Sequence, residues 1–195
     1  MSARERILDA AAEIMRTRGV ASTTTKEIAR AAGCSEALLY KHFRDKEELL
    51  TYVLRERMPA FAGIRRPGEA TVEENLVAIA HGALRFYTRS FPMMASMAAQ
   101  PVLMAATRES MKKYDAGPQH AVEWLAGYLA GEQRLGRVSP DADIETMAAL
   151  LMGACFQQGF LHYVREGVDG DEVPRSLAES LVGGVLPVLT PGHGS

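Results

Sequence analysis

Cysteine is scarce in this chain. Cys34 and Cys155 stand far apart, with no second cysteine and no close histidine beside either, which excludes a zinc-finger spacing and a disulfide framework and fits a reducing cytoplasm. Long apolar runs are missing as well. The longest, Met147 to Phe156, is half of the roughly 20 residues that a membrane span needs, and charges interrupt the apolar pattern of the first fifteen residues, so no export or membrane segment is expected. Alternating β-branched runs, the mark of strands, are absent too. Neither sign of charge dominates: 22 Lys and Arg face 24 Asp and Glu.

The balance of 47% hydrophobic and 24% charged residues is that of an ordinary globular protein. Its charge is divided unevenly. Residues 1 to 66 carry thirteen cationic against nine acidic side chains, a balance of +4, which leaves −6 for the remainder. The N-terminal part therefore suits a polyanion better, although a chance asymmetry of surface charge accounts for the same difference.

Apolar residues recur at helical spacing nearly throughout, so an all-α protein of about nine or ten helices is expected. Ile7, Ala11, Ile14 and Met15 form one face of a first helix that Gly19 closes. Thr23 to Thr25 cap a short second helix with Ile28, Ala29 and Ala32 inward. Ser35 caps a third that ends near Phe43, and Asp45 caps a fourth striped by Leu49, Leu50, Val53 and Leu54 as far as Met58 and Pro59. The break from Gly63 to Gly68 places a boundary near 50 to 66. Beyond it, a long helix is expected over Val72 to Ser90, two shorter ones between Phe91 and Lys113, and long ones over Pro118 to Leu135 and Asp141 to Glu166. Gly136 to Pro140 joins that pair, and a last helix covers Pro174 to Leu189 before a loose tail from Pro191.

Two short helices that cross tightly need a small residue at the crossing, a glycine able to take positive φ in the turn and an aliphatic plug beneath. Ala29, Gly33 and Leu39 meet those needs and leave the outer face of residues 35 to 42 free. The surrounding string, TTTKEIARAAGCSEALLYKHFRDKEELL, resembles the TetR family of regulators in its order of Thr, Ile-Ala, Ala-Gly-x-Ser, Leu-Tyr-x-His-Phe and Lys-Glu-x-Leu. The likeness covers roughly residues 7 to 54, while the rest agrees only in helix number and size. It implies an N-terminal three-helix helix-turn-helix DNA-binding domain over 1–50 and a C-terminal helical ligand-binding and dimerisation bundle over 51–195. The expected role is that of a cytoplasmic regulator, in the family's usual mode a repressor, which binds a palindromic operator as a homodimer.

By the same resemblance, Thr24 and Thr25 anchor phosphate at the start of the second helix, and Lys26 reaches either a base edge or phosphate. Ser35, Glu36, Ala37 and Leu38 open the recognition helix. An exposed Leu38 suits a thymine methyl, whereas Glu36 repels phosphate unless it accepts a hydrogen bond from cytosine. Tyr40 offers a hydroxyl to phosphate, Lys41 a cation and His42 a ring donor; Lys46 holds phosphate at the fourth helix. Packing of the small domain is the other role open to Tyr40 and His42, and solvated surface the other role open to Lys41 and Lys46.

A helix-turn-helix reads few base pairs, so useful affinity needs two copies on half-sites roughly 34 to 36 Å apart or a multiple of that. The helices at 118–135 and 141–166 are the candidate dimer surface, because the second is apolar on more than one face. No cofactor is expected, only a small apolar effector of unknown identity. Met94, Met97 and Met104, with Phe86, Trp124, Phe156 and Phe160, are candidates to line its pocket, and His81, Arg85 and Gln157 to orient it; ordinary core packing and surface exposure compete for each. Two other classes compete with a regulator. A metal-assisted hydrolase built on His162, Glu166 and His81 lacks a third ligand of fixed spacing, a G-x-S-x-G and a phosphate-binding glycine loop. A helical protein-interaction module would use the same turn without DNA.

Overall fold

The computed structural model describes residues 1–57, 65–113, 117–167 and 170–191, and among them nine helices and no strands. Met58, Pro59 and Gly63, which help to mark the expected boundary, lie outside the described residues, as do the last four of the tail, Gly192 to Ser195. Contacts gather the chain into two compact units, Met1–Pro59 with Arg89–Gly117, and Ala60–Thr88 with Pro118–Ser195.

In the first unit, α1 (Ala3–Arg18) starts at Ser2, whose hydroxyl accepts the Glu5 amide, and stops at Gly19 with φ 76°. A Cβ at Gly19 would lie 2.8 Å from Ser96 Oγ, which itself accepts the Ala21 amide at 3.0 Å, so only glycine lets α1 end against this serine. Then come α2 (Thr25–Ala31), α3 (Glu36–His42) and α4 (Lys46–Glu56). Ile7, Leu8, Ala11 and Met15 bury one side of α1 against α2 and α4, while Ile14, expected on that face, is only half-buried because Leu8 takes its place in the core. Arg4 fixes the far end of α4. Its guanidinium pairs with Glu56 at 2.8 and 2.9 Å and stacks over Phe43 and Tyr52, with its carbon 5.5 and 4.9 Å from the ring centroids.

The helix expected to stop at Ser90 runs on. α5 (Val72–Ala98) passes through Pro92, and only α6 (Pro101–Lys113) follows where two shorter helices were expected. Proline removes one backbone bond and costs roughly 3 kcal/mol in a helix interior, but Met93 and Met97 just beyond it are buried, and each such side chain returns about 1.5–3 kcal/mol.

The second unit contains the first part of α5 together with α7 (Gln119–Arg134), α8 (Ile144–Glu166) and α9 (Arg175–Leu189). α8 starts three residues later than expected, because Asp143 caps it by accepting the Thr146 amide at 3.1 Å. Leu76, Ile79, Ala80, Ala83 and Leu84 of α5 pack with Leu125 and Leu129 of α7, Ala148 and Cys155 of α8 and Val182 of α9. α5 and α8 approach closely at Gly159, where a Cβ would sit 2.8 Å from that of Tyr87.

Burial pushes the Cys155 thiol up to about 12, whereas Cys34 lies half-buried in the turn before α3. Since the thiolate is the reactive form, a thiol reagent near neutral pH is expected to label one cysteine per folded chain, Cys34, and the second only on unfolding. Peptide mapping of the labelled protein checks this, and prompt native labelling of Cys155 would contradict it.

Candidate nucleic-acid interface

The turn between α2 and α3 is set by local chemistry. Thr24 caps α2 through a full capping box: its hydroxyl accepts the Glu27 amide at 3.2 Å, and Glu27 Oε2 accepts the Thr24 amide at 3.0 Å. These bonds, with Arg18 and Arg30 nearby, hold the Glu27 carboxyl below the usual carboxylate range. Ala29 and Leu39 are buried at the crossing, and Gly33 turns the chain at φ 65°. Ser35 then caps α3 through the Leu38 amide, and Asp45 caps α4 by accepting the Glu48 amide at 2.6 Å. Glu48 in turn accepts the Arg44 amide at 2.6 Å, which ties down the corner between α3 and α4.

The outer side of α3 is open. Ser35, Ala37, Tyr40, Lys41 and His42 are exposed, as are Thr24 and Lys26 at the start of α2. Tyr40 keeps 48% of its surface, so it does not pack the small domain, and His42 lies tilted beside Phe43 with ring centroids 6.4 Å apart. Leu38, expected to be exposed, is half-buried in the first turn of α3. Lys46 is half-buried at the first turn of α4, and desolvation lowers its pKa against the opposing pull of Glu47 and Glu27.

Glu36 does not stand free in front of the groove face. The Thr25 hydroxyl donates to its Oε1 at 2.6 Å and lies 3.1 Å from the Tyr40 hydroxyl, so three side chains from two helices form one chain of hydrogen bonds. Residue order gave no sign of this, since the members are eleven and fifteen positions apart.

The candidate effector residues fall into both units. Met94, Met97 and Met104 belong to the first, where Met97 is buried and its sulfur lies 3.8 Å from the buried Thr107 hydroxyl. In the second, His81 Nε2 lies 3.0 Å from the Val173 carbonyl and Arg85 pairs with Glu172 at 3.2 Å, so both hold the segment before α9. His162 does the same through the Asp171 carbonyl at 2.7 Å, a role the sequence did not reveal. Phe86 is half-buried edge-on to Tyr87, and Trp124 stacks on Tyr128. Phe156, Gln157 and Phe160 lie exposed along α8.

A capped α2, a glycine turn and an exposed α3 are the parts of a helix-turn-helix DNA-binding protein. Residues 7–53 match the model of the family described as bacterial regulatory proteins, tetR family. The chain is 26% identical over 194 residues to the HTH-type transcriptional regulator UidR of Escherichia coli K12, an overlap covering 94% of this chain and 92% of UidR. Its fold is similar to that of a TetR-family regulator from Mesorhizobium loti, with TM-score 0.70 and 19% identity over 96% of each chain. It is also similar to that of FadR from Bacillus subtilis, solved with stearoyl-CoA, with TM-score 0.66 and 19% identity over 95% of this chain and 98% of FadR. The protein is a TetR-family helix-turn-helix transcriptional regulator, and a regulator rather than an enzyme. Among the described residues, no helix is long and apolar enough to cross a membrane.

Proposed function

We propose that this regulator is a repressor that binds a palindromic operator in the cytoplasm as a homodimer and leaves it when a small apolar effector binds. Residues 1–50 are the DNA-binding part and 51–195 the sensing and dimerising part. The observation that carries the reading is the exposed outer side of α3, with Ser35, Ala37, Lys41 and His42 free to enter a major groove while Leu39 and Phe43 anchor the helix from behind. Thr24, Thr25, Lys26, Tyr40 and Lys46 take the flanking phosphates, with Glu36 and Leu38 at the edge of the read surface. Selection of bound duplexes from a random pool tests this: a palindrome is the expected product, and a pool that stays random overturns the reading.

Lys46 is the phosphate contact with the clearest consequence. Its ammonium is already partly desolvated, so an ion pair there forfeits less hydration than one at a fully exposed lysine. Lys46→Ala is expected to weaken binding to selected and scrambled duplexes alike and to lower the slope of log affinity against log salt by about two, one for each protomer of the bound dimer. Anisotropy titrations over a range of KCl measure the slope, and an unchanged slope removes Lys46 from the contact set.

For the dimer, the structure supports a different pair from the helices at 118–135 and 141–166. α7 turns Leu125, Tyr128 and Leu129 into its own core, whereas α8 exposes Leu150, Phe156, Phe160, Leu161 and Val164, and α9 exposes Val188. A Cβ at Gly153, Gly183 or Gly184 would meet nothing within 4 Å. A helical glycine costs about 1 kcal/mol relative to alanine, and close approach of a second copy's helices gives these three a use. The α8 and α9 faces are therefore the proposed dimer surface, which also gives Phe156, Gln157 and Phe160 a role there in place of the effector pocket. For the effector, the adaptable side chains of Met94, Met97 and Met104 within the first unit support an apolar ligand, as does FadR, similar in fold and solved with stearoyl-CoA.

A further inference from the structure

The hydrogen atoms of the Thr25–Glu36–Tyr40 chain can be counted. An ionised carboxylate accepts only, and each hydroxyl owns one hydrogen. Thr25 gives its hydrogen to Glu36 Oε1 at 2.6 Å, so at the 3.1 Å contact with Tyr40 it accepts, and the Tyr40 hydrogen points inward to Thr25. A phosphate oxygen also only accepts. In the closed chain neither hydroxyl has a hydrogen left for it.

Resting on the DNA-binding reading above, we infer that Glu36 is a positioning residue that restrains sequence-independent DNA affinity by drawing the Thr25 and Tyr40 hydroxyl hydrogens away from phosphate, rather than a residue that reads a base. Tyr40, at the open end of the chain, turns its hydrogen to phosphate by giving up its bond to Thr25, while Thr25 stays bound to Glu36. Part of the Tyr40 phosphate contact is thus spent on breaking a bond within the protein, and Thr25 is left to meet phosphate only through its backbone amide at the start of α2. A selective regulator gains from this, because operator discrimination is the ratio of specific to non-specific binding, and weaker phosphate contacts lower the non-specific part.

Glu36→Gln is the discriminating variant. Its amide group has the same shape, and with its NH2 turned to Thr25 Oγ1 it donates there and frees hydroxyl hydrogens for phosphate; Glu36→Met, which has no oxygen to accept from Thr25, is run beside it and is expected to show the same gain. The test uses the full chain, anisotropy titrations, a duplex carrying the selected palindrome with each of its base pairs varied in turn, and a scrambled duplex of equal length. Affinity for selected and scrambled duplexes is expected to rise together by about fivefold for each protomer engaged, which corresponds to one net hydrogen bond per protomer and to about 25-fold for the bound dimer. Removing an acid beside DNA also relieves repulsion, so Glu36→Gln is repeated in a Thr25→Val/Tyr40→Phe background, where no hydroxyl remains. There the gain is expected to shrink to less than about twofold.

Equal gains in both backgrounds would mean that Glu36 acts as bare charge, and would overturn the inference. So would a changed preference at one base pair without a general gain, which is the signature of a base reader. If the unmodified chain shows no salt-dependent binding to any duplex, the DNA-binding reading itself has failed, a result distinct from either of these. Circular dichroism of each variant confirms that α3 still folds.

Discussion

Leu150→Glu and Val164→Glu, each made singly on α8, are expected to leave the chain helical, to convert it from dimer to monomer, and to lower its affinity for a palindromic site by about a hundredfold or more. Both side chains are more than half exposed, so neither fills the core of its own chain, and a glutamate on an exposed helix face is a good helix former. Two-fold symmetry brings every substitution into the interface twice, so one variant buries two carboxylates between apolar faces with no cation supplied to meet them. Once the dimer is lost, each helix-turn-helix holds its half-site alone, and the high local concentration that a bound partner gives the second half-site is gone. Sedimentation equilibrium and duplex titration read the two effects separately. A dimer that persists with undiminished affinity in both variants would move the partner surface away from α8.

The parts of this architecture that were legible in the sequence are those fixed within a few residues of chain. Thr24, Ser35 and Asp45 cap their helices because a short side-chain oxygen reaches an amide three positions on, and Gly33 takes its positive φ because the turn between α2 and α3 requires it. What distant partners decide was not legible. Pro92 reads as a stop, yet α5 continues because Met93 and Met97 find a core. Leu38 reads as an outward side chain and is half-buried. α8 is apolar around most of its circumference, so its pattern does not say which side meets α5 and which remains for a partner; only packing against Ala80, Tyr87 and Thr88 separates Cys155 and Gly159 from Leu150 and Val164. In the candidate site, the positions of Lys41, His42 and Lys46 follow from the helix start, but the closure of Glu36 onto Thr25 depends on how α2 and α3 cross.

The second unit depends on a buried carboxylate that no motif announced, and Glu132→Ala is expected to destabilise it by about 3–5 kcal/mol, the cost of breaking a buried charged network from one side. Glu132, on α7, is fully buried. Its Oε1 accepts the Tyr128 hydroxyl at 2.6 Å, and its Oε2 lies 3.3 Å from both the Gly68 amide and Arg137 Nε. Arg137 donates onward to the Ala70 carbonyl, and Asn75 donates to Tyr128 and to the Glu69 carbonyl, so one carboxylate organises the whole approach to α5. Alanine would strand the guanidinium and an amide at once. Glu132→Gln keeps an acceptor for one neighbour and is expected to cost less, about 1–3 kcal/mol. Urea unfolding followed by circular dichroism ranks the variants, and a loss below about 1 kcal/mol for alanine would reduce the network to the value of a surface ion pair. Alkaline pH supplies an independent reading. Burial first, and the hydrogen bond to Glu132 next, push the Tyr128 phenol above its ordinary 10.0, so the folded chain holds this proton more tightly than the unfolded one. That contribution is complete below about pH 10 and is lost as pH rises beyond it. Tyr128→Phe, which has no proton to lose, is therefore expected to show a flatter decline in stability above pH 10 than the parent chain, and a decline of equal steepness would detach the phenol from the network's stability.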